Sequence, residues 1–432
     1  MLTAIKKGNF RVALSMLVMG MGQLTYGQIG KGIMFLLLQL MGISFFALHG
    51  ADMLRGFVTL GSVKANPILG IEGDNSVTML IMGVFALVML AVYIMCYIAN
   101  VKDVYHSQQR AEEGKKPLKF SAEIKSLFDA NFYRSALFLP VLGVCVFNII
   151  PIVFMALIAF TNYGGAVVPP DLVSWTGLAS FAKITTLGQF APTFFKILNW
   201  NFVWAVFSTA INYFAGLGLA MLISKKCVRG KALWRAFPVL AYAIPGFITL
   251  LAFRFMFSYG GPVNQIITNM GRQAIGFLDL DAKWTARVIG LLVNAWISIP
   301  TSMLLATGIL GNMNESLYEA ATIDGASAWQ QFRKITFPFV LFATTPVLIT
   351  QFIANFYNFG IFYFLRGGLY IDGYFLASDT DLLINWLYNL SIDNNYYSIG
   401  AAISLIIFAI TSVISLTVYM LSPSYKQEET FR

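Results

Sequence analysis

Residues 76–98 read SVTMLIMGVFALVMLAVYIMCYI, a run of 23 residues without a charged side chain. A spanning α-helix needs about 20 mostly apolar residues, so this run predicts a transmembrane helix. Similar runs predict seven more, at 30–49, 135–160, 200–224, 234–257, 286–311, 337–358 and 398–421. Backbone groups in hydrocarbon must pair within the structure, and the alternating strands of about ten residues typical of barrels are not seen. The sequence therefore predicts an all-α, polytopic helical membrane protein with eight transmembrane helices.

The composition supports a membrane protein over a soluble one. The 432 residues are 58% hydrophobic and only 11% charged, whereas soluble domains carry about a quarter charged residues. The net charge of +9 comes from basic residues in short loops between apolar runs, so it indicates membrane topology and not nucleic-acid binding. Three scattered cysteines and two histidines show no disulfide framework and no metal-binding spacing.

The loops alternate in charge. Residues 99–134 contain seven basic residues, residues 224–235 contain five basic and no acidic residues, and Arg333 and Lys334 lie between the sixth and seventh helices. All three loops fall on the same side of an eight-helix count. On the other side, residues 359–397 contain one arginine and four aspartates. Because cytoplasmic loops are enriched in lysine and arginine, both termini are predicted to be cytoplasmic.

We divide the chain into four parts. These are an N-terminal cytoplasmic or interfacial segment at 1–29, two accessory transmembrane helices at 30–98, a charged cytoplasmic linker at 99–134 and a six-helix core at 135–425. Residues 12–22 are apolar but too short to span. They are interpreted either as a half-helix and turn leading into the first span or as an interfacial helix, and they do not have the features of a cleavable signal peptide.

The loop 312–338 contains residues that are typical of helix starts and helix ends. Glu315 to Asp324 is predicted to be a short helix that ends at Gly325, since glycine commonly follows the last helical residue. Ser327 then begins a second helix, and Gln330 completes a capping box with it. Small residues on the first helix allow another surface to approach closely, while its acidic residues offer charges for pairing.

This loop resembles the EAA motif of ABC importer permeases. The matching pattern is Glu319-Ala320-Ala321, Gly325, Ile335 and then Phe337-Pro338, with phenylalanine where the family usually has leucine. The resemblance covers residues 130–425 and is greatest to the larger membrane subunit of the maltose/maltodextrin type. It implies that the loop is a coupling helix, which docks on a cytoplasmic ATPase. The coupling residues it implies are Glu319, Ala320, Ala321, Asp324 and Gly325. The alternative is an amphipathic helix pair with no partner.

A sugar site is expected among the neutral polar residues of the last four helices. Polar side chains within a span usually face the bundle or a water-filled cavity. Asn294, Ser298 and Thr301 have i, i+4, i+7 spacing, which places them on one helical face. The resemblance implies that the sugar pocket is lined by Tyr242, Asn294, Ile297, Ser298, Thr301, Gln351, Asn355 and Asn358. The alternative is that these residues only join helices, each contact contributing about 0.6 kcal/mol.

Three further expectations concern individual residues. Pro245, Pro300 and Pro346 are expected to break the hydrogen-bond ladder of their helices beside the sugar site. Tryptophans near span ends are expected to anchor the chain at the membrane interface; these are Trp175, Trp200, Trp284 and Trp386. In this chain Ser298, Thr301 and Ala354 differ from the relative, and the changes at Thr301 and Ala354 remove aromatic surface, which leaves the exact sugar open.

The predicted function is that of a permease subunit of a binding-protein-dependent sugar importer in the bacterial plasma (inner) membrane, with maltose or malto-oligosaccharides as substrate. The resemblance implies three kinds of partner: a second, MalG-like permease subunit, a cytoplasmic ATPase dimer and an extracytoplasmic sugar-binding protein. The sequence has no Walker A motif and no catalytic constellation, so we predict a non-enzyme without its own cofactor, in which ATP is used by the partner. Alternatives are a permease for another oligosaccharide or a glycerol-phosphate-like solute, and an ion-coupled secondary transporter. The last would require buried acidic residues or histidines within the spans, which are nearly absent.

Overall fold

A computed structural model describes residues 1–66, 68–117, 120–422 and 425. The described chain folds into α-helices and four short π-helical stretches, without an extended β-strand, and this confirms the predicted all-α fold. The chain forms two compact units, Met1–Gly177 and Leu178–Arg432. This division into two units reflects which residues pack against one another. The four-part division from the sequence, with its core beginning at residue 135, stays a prediction.

Within the described ranges, the first unit contains nine α-helices. Helices α1 to α9 are Leu2–Lys7, Phe10–Leu17, Met21–Thr25, Ile29–Phe45, Ala51–Thr59, Ser76–Glu112, Phe120–Leu127, Phe132–Val144 and Ile150–Ile158. The π-helical stretch Phe46–Gly50 joins α4 to α5, and Cys145–Ile149 joins α8 to α9. Helix α6 is 37 residues long and continues well beyond its predicted span into the charged linker.

The N-terminal helices pack against the C-terminal half of α6 through a buried polar network. Asn100 on α6 accepts hydrogen bonds from the Ser15 hydroxyl at 3.1 Å and from the Gly20 N–H at 3.0 Å. Lys31 forms a 3.0 Å ion pair with Asp103, and the lysine side chain is almost fully buried. Residues 12–28 therefore form two short helices and a turn held on α6, where the sequence predicted either one half-helix or an interfacial helix.

The second unit contains the remaining twelve α-helices of the described residues. Helices α10 to α21 are Ala179–Thr186, Phe190–Ser224, Lys231–Ala243, Gly246–Met256, Pro262–Asn269, Lys283–Gly311, Glu315–Ile323, Ala328–Gln331, Phe337–Phe356, Gly360–Arg366, Leu383–Tyr388 and Tyr397–Leu421. The π-helical stretch Phe332–Thr336 connects α17 to α18, and Asn389–Asp393 follows α20.

The membrane spans agree with the sequence prediction in number and position. Seven described helices are long and apolar enough to cross a membrane, and the bent pair formed by α12 and α13 brings the total to eight. The pair bends by 88° at Ile244 and Pro245, so the fifth predicted span is two helices. Proline lacks the N–H that would continue the helix, which accounts for the break. Pro300 and Pro346 lie inside continuous helices, so each removes one hydrogen bond from its helix without ending it.

Aromatic side chains fill the core of the second unit where α11, α15 and α19 meet. The rings of Trp204 and Phe362 are 5.0 Å apart, and both residues are fully buried. Trp200 and Trp386 are buried as well, and their indole N–H groups donate to the carbonyls of Thr380 and Phe375. The prediction that these two tryptophans are membrane anchors was therefore wrong. They lie near span ends in the sequence, but both indoles are hydrogen-bonded to the segment 367–396, which itself contains Trp386.

Candidate functional site

Three of the predicted sugar-site residues form one amide cluster. The Asn294 side chain on α15 donates to the Asn355 side-chain oxygen at 3.4 Å, and the Asn358 side chain donates to Asn294 at 3.5 Å. Asn294 and Asn355 are buried and Asn358 is half-buried. Helix α18 ends at Phe356, so Asn358 lies in the break before α19 and not on the same helix as Asn355. In the sequence, Gln351, Asn355 and Asn358 have the i, i+4, i+7 spacing of a single helical face, but the helix ends before the last of them.

Helix α11 supplies further polar partners that the sequence analysis did not include. The Asn355 side chain donates to the Thr209 hydroxyl at 3.0 Å, while the Trp204 indole donates to the Asn355 carbonyl at 3.1 Å. The Asn201 side chain donates to the Phe356 carbonyl at 3.2 Å and accepts from the Leu383 N–H at 2.9 Å. The sequence indicates these partners through the polar residues within the fourth predicted span, since polar residues in a span seldom face lipid.

Gln351 lies one helical turn before Asn355 on α18. Its side-chain nitrogen donates to the Ser302 hydroxyl at 3.2 Å, while its side-chain oxygen is buried without a hydrogen-bond partner among the described residues. Ser302 on α15 is buried, whereas the neighbouring Thr301, which the resemblance singled out, is exposed. An amide oxygen without a partner in a buried site is available to accept a hydrogen bond from a sugar hydroxyl.

The other predicted sugar-site residues are not part of the amide cluster. Tyr242 on α12 is 65% exposed, Ser298 is half-buried, and the Ile297 side chain packs against the aromatic core. Within the part of the chain that the structure describes, no hydrogen bond joins Tyr242, Ser298 or Thr301 to the amide cluster. The structure thus brings together Asn294, Asn355 and Asn358, places Gln351 nearby on α18, and leaves the remainder on exposed or half-buried surface.

A glycine on α11 sets the close approach of α11 and α15 at this level. A Cβ atom on Gly216 would lie 2.5 Å from the Ser302 Cβ and 2.9 Å from the Met303 backbone nitrogen. Gly216→Ala is therefore expected to destabilise the protein by about 1–3 kcal/mol through overpacking. Gly218→Ala on the same helix is the matched control, since its Cβ would meet nothing within 4 Å. Thermal unfolding in detergent measures both, and equal melting temperatures would contradict the packing described.

The predicted coupling loop forms as expected in its local geometry. Helix α16 is followed by Gly325 with φ +75°, and Ser327 and Gln330 form the capping box at the start of α17. The Gln331 side chain donates to the Thr322 hydroxyl at 3.1 Å, which ties the two helices together. The hydroxyls of Tyr318 and Thr336 share a 2.8 Å hydrogen bond that joins α16 to the start of the next span.

The outer surface of this helix pair is open and partly apolar. Glu319, Ala320, Asp324 and Gly325 are exposed, and Ala321 is half-exposed. Two large apolar side chains stand out, with Ile323 86% exposed and Trp329 66% exposed. Large exposed apolar side chains close in sequence to charged ones suit an interaction surface. The segment is held rigidly to the adjacent span, so a partner that moved it would move the span as well.

The segment after α19 contains a buried ionic cluster that the sequence analysis treated as loop charge. Arg366 forms a 2.5 Å ion pair with Asp379, and both side chains are buried. Arg366 also donates to the carbonyls of Leu278, Asp279 and Leu280. Arg287 donates to the Asp379 carbonyl and lies 3.8 Å from the ring of Trp200. These contacts hold residues 367–382 against the ends of the spans.

Asp381 lies within the same buried segment. Burial raises the pKa of its carboxyl group from 3.8 to about 6, and hydrogen bonds from the Ser378 N–H and hydroxyl, both 2.8 Å, partly oppose this rise. The folded state therefore binds the proton more tightly than the unfolded state, so stability should increase as pH falls from about 6 to about 4, by at most about 3 kcal/mol. Melting temperatures over this range, compared with Asp381→Asn, measure the effect. Parallel pH profiles for the two proteins would contradict it.

Comparison with known proteins shows similarity to membrane subunits of transport systems. Residues 212–427 match the family described as Binding-protein-dependent transport system inner membrane component. The chain is 34% identical to the galactooligosaccharides transport system permease protein GanP of Bacillus subtilis over 95% of this chain and 97% of that protein. It is 33% identical to the maltodextrin transport system permease protein MalC of Streptococcus pneumoniae, over 98% of each.

Among solved structures, the fold is similar to a chain of a bacterial ABC transporter involved in the import of the acidic polysaccharide alginate. The TM-score is 0.56 and the identity 20%, with 69% of this chain and 96% of that chain covered. At this identity the likeness concerns the fold alone.

Proposed function

Because this chain belongs to the family of binding-protein-dependent transport system inner membrane components, we propose that it forms one half of the translocation pathway of an ATP-driven sugar importer. It is a multi-pass protein of the inner membrane. The resemblance inferred from the EAA motif is confirmed by this membership. The proposed partners are a second, MalG-like permease subunit, a cytoplasmic ATPase dimer and an extracytoplasmic sugar-binding protein.

The observation that carries this proposal is the exposed, rigidly capped helix pair at Glu315–Gln331. Its hydrogen bonds to the adjacent span provide a mechanical connection. ATP-driven motion of the ATPases is proposed to move α16, which carries Glu319, and to tilt α15 and α18 on either side of it. Alternating access of the sugar site follows from that tilt. The basic loops then lie in the cytoplasm, together with both termini.

The proposed substrate is a malto-oligosaccharide, with a galactooligosaccharide as the second candidate. The amide cluster of Asn294, Asn355 and Asn358, together with the unpaired Gln351 oxygen, offers neutral hydrogen-bonding groups and no carboxylate, as suits a neutral sugar. The second candidate is favoured by the similarity to the galactooligosaccharide permease. The other proposed lining residues are Tyr242, Ile297, Ser298 and Thr301.

The experiment that tests the function is reconstitution of the full transporter in proteoliposomes. Uptake and ATPase stimulation are measured with maltodextrins, galactooligosaccharides, a disaccharide series and glycerol phosphate, each with and without ATP and an ion gradient. ATP-dependent uptake of a neutral oligosaccharide is the expected result. Uptake driven by the ion gradient alone, or a chain that never co-purifies with an ATPase, would contradict the proposal.

Asn355→Ala tests whether the amide cluster binds sugar or only joins helices. We expect uptake to fall by at least about tenfold, equivalent to about 1.4 kcal/mol of lost interaction, while assembly stays normal. The comparison variant is Asn201→Ala, which removes only contacts within the protein and should reduce stability more than sugar affinity. Loss of assembly in Asn355→Ala would show instead that the cluster joins helices.

A further inference from the structure

A cavity of about 940 Å³ lies beside the coupling helix in the second unit. It is bounded by the last residues of α11 and α15, the start of α12 and one side of α16. Helices α11, α12 and α15 belong to membrane-spanning segments. The cavity lies where α11 and α15 end and α12 begins. The cavity therefore lies at the depth where a span leaves the hydrocarbon, which in the proposed orientation is the cytoplasmic leaflet.

The cavity wall is more basic than acidic. It contains Lys225, Lys226, Lys231 and Arg235 on one side, against Glu315 and Glu319 on the other. Lys226 and Glu315 are 3.4 Å apart, and both are exposed, so this pair is weak and is easily exchanged for another partner. The excess of positive charge favours an anionic ligand.

Two buried polar atoms of the wall have no hydrogen-bond partner within the described ranges. These are the Nε of Arg235 and the hydroxyl of Thr307, and both residues line the cavity. Leaving a buried donor unpaired costs about 1–3 kcal/mol, and more for a charged group. Because both residues line the cavity and both carry hydrogen-bond donors, they suit a ligand with several acceptor oxygens, such as a phosphate.

The rest of the wall is apolar. Met221, Leu310, Met313 and Ile323 line the same cavity. A small soluble anion would gain nothing from this surface, whereas an amphiphile would cover it with the first methylene groups of its chains. Basic pockets between transmembrane helices on the cytoplasmic side are suited to anionic lipid head groups.

We propose that this cavity binds the head group of an anionic phospholipid of the cytoplasmic leaflet, with its phosphate held by Arg235 and Thr307. The assignment to the cytoplasmic leaflet rests on the membrane orientation given in the proposed function. The binding site itself rests only on the residues that line the cavity. Because Glu319 lines the same cavity, the lipid head group would lie next to the side of α16 that carries Glu319, beside the proposed ATPase surface.

The test measures lipid retention by the full chain, purified in detergent and exchanged into mixed phosphatidylglycerol and phosphatidylcholine. Native mass spectrometry is expected to show preferential retention of phosphatidylglycerol. Arg235→Gln should weaken this retention by about tenfold, as expected for the loss of a hydrogen bond from a charged donor. Thr307→Val, which is nearly isosteric, should weaken it less and serves as the second variant if Arg235→Gln does not fold.

The matched control is Arg272→Gln, which makes the same change at an exposed arginine in the loop between α14 and α15. This variant should retain phosphatidylglycerol as well as the unmodified protein. Equal retention of the two lipids, or equal effects of Arg235→Gln and Arg272→Gln, would overturn the proposal. Displacement of the lipid by millimolar inorganic phosphate would assign the cavity to a soluble phosphate and overturn the lipid assignment. Because no transport is measured, a negative result here leaves the proposed function standing, and a failed uptake experiment leaves this site standing.

Discussion

Glu319→Arg is expected to reduce ATP-dependent sugar uptake by at least about tenfold, because a reversed charge at the centre of a docking surface opposes association as well as removing a contact. The side chain is exposed on α16 in this chain, so the substitution should leave folding intact. Uptake in proteoliposomes and the amount of ATPase that co-purifies with the chain are the two measurements. Both should fall together if the helix is the coupling element.

The control for this prediction is Glu72→Arg, which makes the same charge change at an exposed residue of the loop between α5 and α6. It should affect neither uptake nor co-purification. Normal uptake in Glu319→Arg would exclude α16 as the coupling helix. Loss of uptake with full retention of the ATPase would show that Glu319 transmits motion without contributing to affinity.

Asp379→Ala is expected to cause the largest loss of stability. The Arg366 side chain is 1% exposed and forms a 2.5 Å ion pair with this carboxylate. Removing one partner of a buried pair leaves an uncompensated charge, which costs about 3–5 kcal/mol. The remaining hydrogen bonds of Arg366, to the Thr380 hydroxyl and to three backbone carbonyls, bring no negative charge to it. Thermal unfolding in detergent and the yield of folded protein measure the effect.

Asp372→Ala is the matched control, since Asp372 is exposed in the same segment. Its effect should stay within about 0.5 kcal/mol, as is usual for a surface substitution. Similar melting temperatures for the two variants would mean that the ion pair contributes little. In that case the segment 367–396 would be held mainly by the buried indoles of Trp200 and Trp386.

The local structure of the loop 312–338 was predictable almost residue by residue. The boundaries of α16, the positive φ of Gly325 and the capping box of Ser327 depend on short-range backbone chemistry, which neighbouring residues determine. The spans were predictable for a similar reason, since about 20 apolar residues in a row have few other stable states in lipid. The bend at Pro245 was indicated by the proline, but its angle of 88° was not.

The sequence by itself determined the membrane class, the number of spans and the local geometry of the loop 312–338, because each depends on composition or on residues only a few positions apart. Only the tertiary structure decided which polar residues meet. The Asn355 side chain donates a hydrogen bond to Thr209, which is 146 positions away in the chain. Arg366 and Arg287 are 79 positions apart, and both donate hydrogen bonds to Asp379. Such pairings depend on how helices pack against one another, and no periodicity within a single helix specifies its partner.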